Sequence, residues 1–84
     1  MRLIANANHF TLGQKIEIVD DDSNTIFSTI CSMPDIENVI ESLCGQYQIN
    51  EVYINGAKNF TSKIADDLSK RTTFDKFNIK INLI

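Results

Sequence analysis

The apolar residues of this chain change their spacing near Ser32, and that change limits what it can fold into. Before it, apolar positions recur every second residue, the period of a strand with one buried face. After it, Ile36, Val39, Ile40, Leu43 and Tyr47 fall at i, i+3, i+4, i+7 and i+11, one stripe of a helix. A chain that begins in one period and passes to the other is neither an all-helical bundle nor an all-β sandwich. It must place a helix layer against a sheet.

The first stretch divides into three strands. Gln14–Asp20 and Thr25–Cys31 form the clearest pair, joined by the polar link Asp21–Asn24, which reads as a hairpin. Arg2–His9 precedes them, with Leu3, Ala5 and Ala7 on one side and Ile4, Asn6 and Asn8 on the other; Thr11 and Gly13 supply the turn. In the helix that follows, Ser32 suits the N-cap, Pro34 the first turn, and Asp35 and Glu37 the positive end of the helix dipole. Gly45 stands as its C-terminal stop. Glu51–Asn55 is the next strand, broken by Asn55-Gly56. A second helix carries Ala57, Phe60, Ile64 and Leu68, with Asp66/Lys70 and Asp67/Arg71 at favourable i,i+4 spacing. Phe74 and Phe77 bracket a loop, and Asn78–Ile84 closes as a strand.

The order βββαβαβ predicts an α/β, two-layer α+β domain spanning 1–84. Right-handed crossovers then give a mixed five-stranded sheet of order 3-2-1-4-5, with the second strand antiparallel and both helices on one face. The arrangement resembles a ribonuclease H-like fold pared to its minimum. That resemblance is one of topology over nearly the whole chain, with no sequence motif behind it. It implies metal-binding carboxylates in the first strand, the first helix and the end of the fourth strand. Here those strand positions hold Asn6, Asn8 and Asn55, and only Glu37 and Glu41 of the helix are acids. Hard divalent cations need charged oxygen ligands, so the expectation is a copy without catalytic residues, metal or cofactor.

Composition removes other classes. Net charge is −3, and Lys63, Lys70, Arg71, Lys76 and Lys80 are interrupted by Asp66, Asp67 and Asp75, which argues against docking on a nucleic-acid backbone. No apolar run is long enough for a membrane span, and no apolar leader follows the N-terminus. Asp20-Asp21-Asp22 reads as a solvated turn rather than a cation site. Cys31 and Cys44 lack the spacing of a redox or zinc motif, and with His9 as the one histidine they read as small hydrophobes in a reducing cytoplasm. The turn Asn55-Gly56-Ala57-Lys58-Asn59 has the placement of an anion site but a single Gly and a single Lys.

With both helices on one face, the stripe beneath them is expected to hold Leu3, Ala5, Ala7, Ile16, Ile18, Ile26, Ile30, Val52, Ile54, Ile79, Ile81 and Leu83. The other face is left bare. Ile4, Asn6, Val19, Phe27, Tyr53, Asn82 and Ile84 are its candidate partner-binding residues, with Phe10 and the Phe74–Phe77 loop as alternative cover. The edges Thr25–Cys31 and Asn78–Ile84 are candidates for strand addition. The expected role is a non-enzymatic, cytoplasmic protein-binding module. Abundant Ile, Asn and Lys share A/T-rich codons, which suits a phage or mobile element whose product docks on a host or defence factor, in the host cytoplasm. The alternative is a self-associating structural or assembly subunit, a homodimer for instance. Behind both stands a divergent metal-dependent nuclease or small-ligand binder.

Overall fold

The computed structural model describes residues 1–7 and 13–84. Three strands, β1 (Arg2–Ala7), β2 (Gln14–Val19) and β3 (Thr25–Cys31), lead through a short 3₁₀ turn at Met33–Asp35 into helix α1 (Ile36–Gln46). Strand β4 (Glu51–Gly56), helices α2 (Lys58–Ser69) and α3 (Thr72–Lys76), and strand β5 (Lys80–Leu83) complete the chain. The sheet order is β3-β2-β1-β4-β5, with β2 antiparallel to both its neighbours and β1, β4 and β5 parallel, as the period analysis predicts. Expectations resting on Asn8, His9, Phe10 and Thr11 lie outside the described residues.

The core is one layer deep between sheet and helices. Leu3, Ala5, Ala7, Ile16, Ile18, Val52 and Ile54 line the covered face, with no side chain among them reaching solvent. Against them pack Ile36, Ile40, Leu43 and Cys44 of α1, Ile64 and Leu68 of α2, and Phe74 of α3. Ala5 and Ala7 keep the middle of this layer thin, because a helix above a methyl group sits closer than one above a leucine. Burial pushes the Cys44 thiol up to about 12, which makes it a packing residue without thiolate character.

Five local details differ from the sequence expectation. Ser32 is extended and precedes the 3₁₀ turn rather than α1, and its side chain caps no backbone N–H: its hydroxyl donates to Asp35 Oδ2 at 2.8 Å, while its carbonyl accepts from Asp35 N–H to start the turn. Gly45 lies inside α1, which ends one residue later when Tyr47 turns extended (φ −111°, ψ 156°) and its N–H bonds Leu43 O. Thr72–Lys76 is helical where a loop is predicted; five residues are too few to show a stripe, and Phe74 enters the core from it. The last strand begins at Lys80 rather than Asn78, because Asn78 takes φ 52° and Ile79 N–H is drawn to Phe74 O.

The fifth difference reverses one strand. A plain hairpin continued from Val19↔Thr25 would set Ile18 opposite Ile26, putting Ile26 and Ile30 under the helices. Instead the pairing steps from Val19↔Thr25 to Ile18↔Phe27, leaving Ile26 as an extra residue. A bulge of one residue exchanges the two sides of everything beyond it. Phe27 and Cys31 therefore turn inward and pack against the core, whereas Ile26 (46% exposed) and Ile30 (70% exposed) stand on the bare face. The ring of Phe27 meets that of Tyr47 at 5.9 Å between centroids, an offset tilted contact.

Candidate protein-binding face

The strand registers lay out the uncovered face as rows. One row runs Val19, Arg2, Glu51, Lys80; the next runs Glu17, Ile4, Tyr53, Asn82; a third runs Lys15, Asn6, Asn55. Of the candidate binding residues, Ile4, Tyr53 and Asn82 share the second row, Asn6 stands beside them in the third, and all four are half-buried. Ile84 follows Leu83 past the end of β5, with its N–H still bonded to Ile54 O and its side chain 62% exposed. Val19 is on this side but buried, outside the main core, so little of it is left to touch a partner. Phe27 does not belong here; the bulge removes it to the covered side and brings Ile26 and Ile30 in its place.

Several polar groups on this face pair with one another. Asn55 Nδ2 donates to Asn6 Oδ1 at 3.1 Å, and the Tyr53 hydroxyl donates to Glu51 Oε2 at 3.0 Å. That bond to a carboxylate, with some loss of hydration and the Glu51 charge, raises the Tyr53 phenol above its ordinary value. Glu17 receives Lys15 Nζ at 3.2 Å on one oxygen and Thr25 Oγ1 at 3.2 Å on the other. Neighbouring positive and negative charges alternate along the first row. The result is a surface of paired polar groups around Ile4, with isoleucines at both lateral margins.

The positions where the ribonuclease H-like resemblance implies acids are accounted for by these contacts. Asn6 and Asn55 satisfy one another as neutral amides across the β1–β4 pair. Glu37 and Glu41 point to Arg71, whose Nη1 donates to Glu41 Oε1 at 2.9 Å and Asn38 Oδ1 at 3.0 Å and whose Nη2 reaches Glu37 Oε1 at 3.4 Å. Arg71 thus joins the α2–α3 corner to α1, rather than pairing with Asp67 along its own helix; the Asp66–Lys70 pair does form, at 3.2 Å and exposed. Among the described residues, no three His, Cys, Asp or Glu side chains converge as a metal site, and no helix is long and apolar enough to cross a membrane.

The Arg71 cluster gives a pH dependence of defined sign. Partial burial and the nearby Asp67 carboxylate raise Glu37 above the usual glutamate range, and the contact with Arg71 offsets only part of this. A carboxyl that is a weaker acid folded than unfolded favours the fold while protonated. Its contribution is full at low pH and is lost as pH rises through its folded pKa. Glu37→Gln keeps the protonated form's shape, so its stability relative to wild type should increase from acidic to neutral pH. Urea denaturation of both proteins across that range checks this; a difference that is flat or falls with pH would refute it.

Two smaller features of the sequence are also accounted for. In the Asp20–Asn24 turn, Asp20 Oδ1 accepts the N–H groups of Asp22 (3.0 Å) and Asn24 (2.9 Å), and Ser23 takes φ 66°, so the acidic run is a hydrogen-bonded turn. Gly56 is required by strand approach: a Cβ there would lie 2.3 Å from Ala7 O, and its φ is 150°. No ligand is needed to explain that glycine.

On the other side of β3 lies a feature that residue spacing did not reveal. A groove of about 820 Å³ runs between β3 and α1, floored by Phe27, Cys31 and Leu43 and walled by Asn38, Val39 and Ser42. It exists because α1 covers the middle of the sheet and leaves its β3 margin open. Comparison with protein-family models finds no match, and comparison with curated proteins finds none either.

Proposed function

We propose that this chain is a non-enzymatic protein-binding module that works by docking the uncovered face of its sheet on another, larger protein. One observation carries the reading: β1, β4 and β5 are parallel, and parallel strands are ordinarily covered on both faces, yet among the described residues the helices lie on one side only. The centre of the bare face holds Ile4 and Tyr53 in a field of paired polar groups, with Ile84 exposed at one margin. Contact surfaces have this character, with an apolar and aromatic centre and a polar surround. Neutral Asn6 and Asn55, bonded to each other at the strand positions where a nuclease of similar topology needs acids, support a binding role over catalysis. The two free cysteines suit a reducing cytoplasm. The A/T-rich residue usage suits a phage or mobile-element product acting on a host or defence factor.

The test is affinity capture from the lysate of the source or its host by wild type, by Tyr53→Asp and by a control changed on the helix side, Lys63→Glu. A protein retained by wild type and the control after nuclease treatment, and lost with Tyr53→Asp while the variant stays folded, is the expected result. Equal capture by Tyr53→Asp, or capture that vanishes with nuclease, would end the reading. Magnesium-dependent cleavage of nucleic acid by the purified chain would replace it with an enzymatic one.

A further inference from the structure

We infer that two copies of this chain join through β3, antiparallel and about a twofold axis at Ser28, to make one ten-stranded sheet. Strand β3 is an edge whose one neighbour among the described residues is β2, so half of its backbone N–H and C=O groups face outward. Edges of this kind are usually blunted by charge, proline or brevity. The opposite edge, β5, is four residues long and begins with Lys80. By contrast β3, Thr-Ile-Phe-Ser-Thr-Ile-Cys, is the longest strand and holds no charged residue and no proline.

Its order of side chains is also self-complementary. Antiparallel pairing about Ser28 sets Ile26 of each copy opposite Ile30 of the other, on the bare face, and Phe27 opposite Thr29 on the covered face. The two isoleucines are the exposed apolar residues that the bulge turned outward, and Ile30 is the most exposed large apolar side chain described. Dimerisation thus forms two Ile–Ile cross-strand pairs from four side chains left in water by the single chain. No like charges meet along the strand, even though each copy carries −3. The nearest acids are occupied, Glu17 by Lys15 and Thr25 and Asp35 by Ser32.

A lone pair of seven-residue strands buries less than the roughly 1,200 Å² of stable interfaces. The groove beside β3 supplies further surface: its α1 wall of Asn38, Val39 and Ser42 is uncharged and borders the seam. Association in the micromolar range is the expected strength. The bare faces of the two copies become one continuous surface. Ile4 and Tyr53 lie two and three strands inward from the seam, so this inference and the docking proposal stand or fall separately.

The experiment is sedimentation velocity over a micromolar concentration series. Wild type should pass from one to two chains. Ile26→Lys with Ile30→Lys sets lysine opposite lysine twice and should weaken association at least about tenfold. Ile26→Lys with Ile30→Glu sets lysine opposite glutamate twice and should recover it, as only this register does. Independently, Ser28→Cys in a Cys31→Ser background should form a disulfide-linked dimer on mild oxidation, and Lys80→Cys in the same background should not. Monomer at every concentration, a dimer indifferent to paired lysines, no recovery with the mixed charges, or no Ser28→Cys cross-link would each overturn the inference.

Discussion

Gly56→Ala is expected to lower the unfolding free energy by about 3 kcal/mol, whereas Gly45→Ala should raise it by about 0.5–1 kcal/mol. The substitution is the same and its sign is set by place. At Gly56 the new methyl would stand 2.3 Å from the Ala7 carbonyl oxygen and 3.2 Å from Thr61 Cγ2, in a backbone conformation (φ 150°) that residues with a Cβ rarely adopt. Neither neighbour can retreat. Ala7 belongs to the central strand, bonded on both sides, and Thr61 is buried in α2. Gly45 is the penultimate residue of α1 with nothing within 4 Å of a Cβ, so alanine there only restricts the unfolded chain and favours the helix. For a domain whose whole stability is on the order of 5–10 kcal/mol, the first change removes a large share. Thermal or urea denaturation of the pair decides it. Equal and small effects would mean that β1 and β4 do not approach this closely at their C-terminal ends.

Phe27→Asp should cost about 3 kcal/mol, while Ile26→Lys at the adjacent position should stay within about 0.5 kcal/mol when measured on dilute, dissociated protein. Phe27 sits on the covered side of β3 against the core and the Tyr47 ring, where an ionised carboxylate would lose hydration without gaining a partner. Ile26 is the bulged residue, nearly half exposed, and its side chain faces water. The contrast tests the bulge directly. A costly Ile26→Lys with a harmless Phe27→Asp would put the hairpin in its unbulged register and return the isoleucines to the core.

Those two positions also show where residue pattern stops being informative. Element order and sheet order follow from where the apolar period switches, since Leu3, Ala5 and Ala7, or Val52 and Ile54, leave one reading of which side is buried. In β3 both phases are apolar: Ile26 and Ile30 on one, Phe27 and Cys31 on the other. Only the extra residue in the ladder chooses between them, and nothing in the letters marks it. Ile4, Asn6, Tyr53, Asn82 and Ile84 are therefore legible as a face, Val19 is legible in side but not in burial, and Phe27 is misplaced. The Asn6–Asn55 bond needed the strand register. Arg71 was legible as a charge near Asp67 but not as the tie between helices, because its partners Asn38 and Glu41 are over thirty and thirty positions away along the chain.

The bulge at Ile26 has one more consequence, for how this hairpin tolerates change in length. Because Ile26 has no opposite number on β2, it is a spare position: a chain that lost it could straighten the ladder, with Phe27, Thr29 and Cys31 keeping the partners Ile18, Ile16 and Gln14 that they have now. Loss of Phe27 would straighten the ladder in the same way, with Ile26 turning inward opposite Ile18 in place of the ring and Ser28 to Cys31 keeping their partners. The turn end of β2–β3 can therefore vary by one residue over evolutionary time without disturbing the inward half of the strand. The outward isoleucine, and any surface built on it, can be gained or lost as a unit.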